Sequence, residues 1–126
     1  SAESAYAAWY SYAAGYNGML RWAYNSWPED PVVDSRFRKF PSGDTYFVYP
    51  DGRSSIRFER LKEGIQDVEK IKILKLQFLK KDSNESIIKL AELNNTVEKF
   101  NVIGKPDTSV EQILKEAKRV INELSE

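Results

Sequence analysis

Met19-Leu20-Arg21-Trp22-Ala23-Tyr24, opened by Gly18, and Thr45-Tyr46-Phe47-Val48-Tyr49, closed by Pro50-Asp51-Gly52, are the two stretches whose reading decides the fold. The first mixes apolar and aromatic residues without helical spacing, as a strand buried on both faces does. The second is rich in β-branched and aromatic residues and stops at a turn signal. Both are predicted as strands. A pair of strands by itself is marginal in water, and parallel strands need both faces covered. The expectation is therefore a piece of a larger sheet whose neighbours were once covalently attached.

Working outward, residues 3–14 read as a helix, with Ala5, Ala8, Trp9, Tyr12 and Ala13 at three- and four-residue spacing and Gly15 as the stop. Residues 25–44 are irregular. Pro28, Pro31 and Pro41 remove backbone donors, and Asp30, Asp34, Ser42 and Gly43 favour turns. A connection this long is usually functional. After the second strand a helix is expected over about 55–81, capped by Ser54 or Ser55 and striped by Phe58, Leu61, Ile65, Val68, Ile71, Leu74 and Phe78. Gly64 weakens it by roughly 1 kcal/mol relative to alanine, which points to a close backbone neighbour there. Asp82 with Glu85 suggests a cap for a helix over about 84–100. Gly104 and Pro106 break the chain. Thr108 with Glu111 suggests a capping box for a last helix striped by Val110, Ile113, Leu114, Ala117, Val120, Ile121 and Leu124.

Composition divides the chain in two. All seven tyrosines and three tryptophans precede residue 50, whereas the sequence beyond residue 60 is rich in Lys, Glu, Ile and Leu. The front reads as the end of a ligand-binding fold and the back as a helical support, with the division placed at 1–81 and 82–126. A formal net charge of +0 gives no pull toward nucleic acid or an anionic membrane, and no run reaches the length of a membrane span. With no cysteine and no histidine, disulfides, zinc or copper sites and Ser-His or Cys-His catalysis are excluded. No metal and no cofactor is expected.

In a βα-barrel, ligands meet the loops after the C-terminal strand ends. Here those ends are Trp22 to Trp27 and Tyr49 to Gly52. Sugars present apolar C–H faces to indole and phenol rings and hydroxyl edges to Asn, Asp and Arg. Trp22, Tyr24, Asn25 and Trp27 offer such a set, although an aromatic cluster serves as core more often than as a platform. Strand alternation puts Trp22 and Tyr24 on one face, Ala23 and Asn25 on the other. Asp44 and Asp51 flank the second strand, Asp51 as a turn residue and Asp44 pointing toward a pocket. The Glu29-Asp30 pair reads as loop surface or a salt-bridge partner for Arg36 or Arg38. Arg53, Arg57 and Arg60 with Glu59 and Glu63 form exposed pairs along the helix, or else Arg57 or Arg53 props up the strand-end loops.

The residues Leu20 to Trp27, Asp30-Pro31, Asp34, Arg36-Phe37-Arg38, Gly43-Asp44-Thr45, Val48-Tyr49-Pro50, Arg53 to Leu61, Glu63 to Asp67 and Glu69, taken in order, resemble the C-terminal part of glycoside hydrolase family 123. That region is known as a domain of unknown function in bacterial polysaccharide-degrading proteins. The resemblance spans about residues 3–75. It implies a C-terminal fragment of a (β/α)8 barrel, with strands seven and eight and the last barrel helix, followed by a helical tail. It also implies a β-N-acetylgalactosaminidase or related hexosaminidase that uses the substrate's acetamido oxygen as nucleophile, assisted by an adjacent Asp-Glu pair. No Asp-Glu dipeptide occurs here, so the pair is expected upstream and this chain alone is expected to be inactive. Trp22, Tyr24, Asn25 and Trp27, with Tyr49 and Asp44, are the implied substrate contacts, and no catalytic residue is carried over. The implied partner is a glycan bound by the full-length enzyme, which is expected to be exported to a bacterial periplasm or cell surface. Unpaired strand edges also predict self-association. Two alternatives stand beside the enzyme fragment: a non-catalytic carbohydrate-binding or interaction module, and a helical domain whose aromatic front is core.

Overall fold

Four helices carry the computed structural model, which describes residues 2–101 and 109–126. They are α1 (Ala2–Ala13), α2 (Ile56–Lys81), α3 (Asn84–Glu98) and α4 (Val110–Leu124), with a 3-10 turn at Pro50–Gly52. Each of α2, α3 and α4 starts on a serine. The hydroxyl oxygens of Ser55, Ser83 and Ser109 accept from the amides of Phe58 (3.1 Å), Ser86 (3.1 Å) and Gln112 (3.3 Å). The third helix is thus capped by Ser83 rather than Asp82, which instead takes a left-handed φ of 43° as the α2 stop. Thr108, expected as the last cap, lies outside the described residues.

One core draws on all four helices. Trp9 is fully buried and stacks on Phe100 at 4.6 Å and 22°, and Tyr6 tilts against the same ring at 5.2 Å. Ile71, Leu74 and Phe78 of α2, Leu93 and Val97 of α3, and Leu114, Ala117, Val120, Ile121 and Leu124 of α4 close around this stack. The helices α1 and α2 cross at Gly64. A Cβ built there would sit 2.7 Å from the Ala5 carbonyl oxygen and 3.0 Å from both Ala5 Cα and Ala8 Cβ. The glycine is what lets the two backbones approach.

The predicted strands do not form, and the expectation of an α/β barrel fragment is corrected accordingly. Among the described residues there is no strand, only isolated bridges, one of them antiparallel between Asn25 and Tyr46. It is held by Ser26 N–H to Thr45 O (3.0 Å) and Phe47 N–H to Tyr24 O (2.8 Å). A barrel would have paired these segments through parallel neighbours. Here the needs of the 45–49 segment are met by the start of α2. Ser55 Oγ donates to Phe47 O at 2.5 Å and Arg57 to Tyr46 O at 3.1 Å. With those carbonyls satisfied by side chains, no ladder extends. Residues 19–22 turn to the surface, where Leu20 is 90% exposed.

Candidate functional site

The long loop between α1 and α2 is extended rather than sheet-like, yet it is firmly tied. Thr45 and Tyr46 are buried, and the Tyr46 hydroxyl donates to Pro31 O at 3.2 Å. Thr45 Oγ1 donates to Ser26 O at 2.6 Å. The Arg57 guanidinium, besides bonding Tyr46 O, lies over the Tyr46 ring at 5.2 Å and fills the space beside Gly43, where φ is +73°. Its Nε is buried without a hydrogen-bond partner. Arg57 therefore works as a pillar beneath the loop. Burial pushes the Tyr46 phenol above its ordinary pKa, helped by the neighbouring Tyr49. Asp34 is held down to about 2, chiefly by the Arg36 side chain hydrogen-bonded to it, with the Arg36 amide adding to the effect.

On this frame the expected site residues take distinct positions. Trp22 is 54% exposed and leans on Phe40 at 4.8 Å, and Tyr24 is 49% exposed, edge-on to Phe58 at 6.0 Å. Ala23 between them is buried, but Asn25, expected on the same side as Ala23, is exposed, so the strand alternation stops at Tyr24. Asn25 is exposed at the bridge to Tyr46. Trp27, 37% exposed, spends its indole N–H on Val48 O at 2.7 Å. Asp44 Oδ1 takes a 2.5 Å bond from Arg21, which also reaches the Asp44 carbonyl. Tyr49 is half-buried and edge-on to Tyr46 at 5.2 Å. Trp22 and Tyr24 thus stay half-exposed while packing on Phe40 and Phe58, whereas Trp27, Asp44 and Tyr49 are engaged in holding the loop.

Sequence reasoning missed Arg21, which ties residue 21 to 44 and also lies over the Phe47 ring at 5.7 Å. It also missed two clefts. One, of about 220 Å³, is lined by Ser4, Arg21, Asp44, Tyr46, Phe47 and Arg57 among others. The other, of about 440 Å³, runs between the end of α1 and α2, along Tyr12, Tyr16, Met19, Ile65, Glu69 and Lys72. No local motif marks either cleft, because each is made by segments distant in sequence, residues 8–19 and 65–72 in the larger and 3–4, 21, 41–47 and 57 in the smaller.

The carboxylates have structural partners. Asp30 accepts from the amides of Val32 (3.2 Å) and Val33 (3.3 Å), and Arg36 pairs with Asp34 at 2.8 Å, not with Glu29 or Asp30. On α2, Arg60 binds Glu63 at 2.9 Å but also crosses to Glu111 of α4 at 3.1 Å. Lys118 of α4 pairs with Glu63 and lies 4.0 Å from Asp67. Asp67 accepts from the Trp9 indole at 3.3 Å, and its burial raises its pKa. Among the described residues no three His, Cys, Asp or Glu side chains gather as metal ligands, and no helix is long and apolar enough to cross a membrane.

These findings correct the expectation of a hydrolase fragment built on barrel strands and the hexosaminidase mechanism tied to it. Its acidic residues close turns and bridge helices, and its exposed loop face is aromatic, an arrangement that fits a non-catalytic module better.

No curated protein matches the chain. The structure is similar to that of a family 123 glycoside hydrolase from Clostridium perfringens, solved for the details of glycolipid glycan hydrolysis. The likeness has a TM-score of 0.68 at 25% identity and covers 98% of this chain, but only 23% of that one. α3 and α4 are thus included in the structural likeness. Residues 1–74 match the family model described as glycoside hydrolase 123, catalytic domain, so the chain belongs to glycoside hydrolase family 123.

Proposed function

We propose that this chain is a non-catalytic, carbohydrate-binding module of a family 123 glycoside hydrolase, equivalent to the C-terminal part of such enzymes. The observation that carries the reading is the pair of half-exposed rings, Trp22 and Tyr24, on a loop fixed from below by Arg57 and from the side by the Arg21–Asp44 pair. A rigid aromatic face costs little ordering entropy on binding, and the amide of Asn25 lies next in sequence to serve hydroxyl edges. Trp27, Asp44 and Tyr49 complete the proposed contact set from the rim. The printed description of the Clostridium perfringens relative, glycolipid glycan hydrolysis, supports a glycan as the ligand class.

The division at residue 81 belongs to the same proposal and is supported by the family-model match ending at residue 74. So do an exported bacterial parent, since such glycans lie outside the cytoplasm, and self-association of the chain through apolar surface left exposed. The test is a titration of tryptophan fluorescence with N-acetylgalactosamine-terminated oligosaccharides. Saturable quenching is expected, with affinity reduced more than tenfold in Trp22→Ala. Binding that is equally tight in Trp22→Ala and Tyr24→Ala, or no response up to millimolar glycan, refutes the reading.

A further inference from the structure

Residues 35–43 fold back on themselves as a small hairpin. Gly43 N–H donates to Ser35 O at 2.9 Å, and Phe40 N–H donates to Phe37 O at 3.0 Å across the antiparallel bridge between the two phenylalanines. Arg38 and Lys39 form the turn between them. Arg38 stands first, at a φ of 56°, in the left-handed region where glycine or asparagine is the usual occupant of a tight turn. A long side chain held there carries strain, and strain of this kind clusters at binding sites. Both cations are exposed. The Arg38 guanidinium lies over the Phe37 ring at 5.1 Å, and Phe40 leans on Trp22 at 4.8 Å.

The charges around this tip do not balance. Between residues 30 and 44 every acid is engaged within the loop: Asp30 accepts from the Val32 and Val33 amides, Asp34 pairs with Arg36, and Asp44 pairs with Arg21. Among the described residues neither Arg38 nor Lys39 pairs with a carboxylate. Arg57, beneath the loop, is bound to the Tyr46 carbonyl and ring rather than to an acid.

We propose that the glycan taken by this chain is acidic, with Arg38 and Lys39 holding its carboxylate or sulfate group while a sugar ring lies on Trp22 beside Phe40. The inference rests on the glycan reading above and adds the charge of the ligand. A guanidinium offers paired N–H donors to two oxygens of one oxyanion, and the Phe37 ring beneath it limits its motion. Lys39 adds a second charge on a flexible stem. An anionic membrane is met by a broad basic surface, whereas here Asp34 and Asp44 neutralise the flanking arginines. The unpaired cations are confined to a two-residue tip next to an aromatic face, which suits a single acidic group on a sugar.

Tryptophan fluorescence at low and high salt tests the assignment with N-acetylgalactosamine-terminated disaccharides of three kinds: neutral, with glucuronate as the second sugar, and with a sulfate ester. Each is titrated into the chain, Arg38→Asn and Lys39→Ala. At least one acidic disaccharide is expected to bind about fivefold tighter than the neutral one, the scale of an exposed ion pair. Which of the two does so identifies the oxyanion. The gap is expected to shrink in high salt and in each variant, with the affinity for the neutral sugar unchanged. Asparagine suits a left-handed position, so Arg38→Asn is expected to melt no lower than wild type, and its lost preference is then not a lost fold. A lower melting temperature would make Arg38 a structural residue and overturn the assignment. Acidic disaccharides that bind no tighter than the neutral one, or a preference that survives both substitutions, overturn this inference and leave the aromatic site standing. No response to any of the three overturns both. Arg38-dependent binding to phosphatidylserine vesicles without a preference among the sugars also overturns it, the tip then facing lipid.

Discussion

Replacing Gly64 by alanine pits two well-known effects against each other, and the structure says which wins. In an exposed helix the change stabilises by about 1 kcal/mol, because glycine is the poorer helix former. At this crossing the new methyl would meet the Ala5 carbonyl oxygen at 2.7 Å and Ala5 Cα at 3.0 Å. Both are backbone atoms of a regular helix, so no side chain can swing away and α1 must move as a body. Overpacking of this kind costs about 1–3 kcal/mol, and backbone contact places it at the upper end. The net expectation is a loss of about 2 kcal/mol. For a chain of this size that corresponds to a fall in Tm of roughly 8 °C. Thermal unfolding followed at 222 nm measures it, with Gly18→Ala as the comparison, since nothing lies within 4 Å of that position. A Gly64→Ala chain that melts at or above the wild-type temperature would show that α1 and α2 do not cross there and would refute the packing described.

Two other substitutions probe the core and the loop frame. Asp67 is buried, and its pKa is raised first by that burial, so its ionised form is penalised in the fold. The penalty is absent below the unfolded pKa of 3.8, grows as pH rises through the raised folded value, and stays in full at neutral pH. Asp67→Asn, which keeps an acceptor for Trp9, is expected to be more stable than wild type at pH 7, with the gap closing toward pH 3. Lys118 retains Glu63, whose lowered pKa works in the opposite direction and is common to both proteins. A gap that does not change with pH in urea titrations would contradict this. Ser55→Ala removes both the α2 cap and the bond to Phe47 O, and a loss of about 1–2 kcal/mol is expected against little change for exposed Ser54→Ala. Equal effects of the two serines would mean that the loop is not anchored through residue 55.

The helices were legible because their signal is local. The apolar spacing of α1, α2 and α4, the stop at Gly15 and the near neighbour at Gly64 could each be read within a few residues. The strands were not, because Met19–Tyr24 and Thr45–Tyr49 carry the same alternation whether they enter a sheet or lie as single extended segments on a helix. What decides between the two is the partner of each carbonyl. Ser55 and Arg57 supply that partner from ten or so residues away, which no periodicity records. The third cap failed more simply, as Asp82 and Ser83 are both good caps and the left-handed turn at Asp82 left the role to its neighbour. Of the candidate site, the aromatic character was visible in composition. Which residues stay exposed was not, since it depends on Val48 O claiming the Trp27 indole and on Arg21 claiming Asp44.

The stack of Trp9 on Phe100 has a bearing on how the chain is made. The indole of the first helix finds its closing lid only after roughly ninety further residues have been joined, and bringing such distant positions together carries an entropic toll that slows assembly. Until then a large ring waits uncovered on the emerging polypeptide. Synthesis thus proceeds with its earliest helix unfinished, and the turn after α3 completes what α1 began.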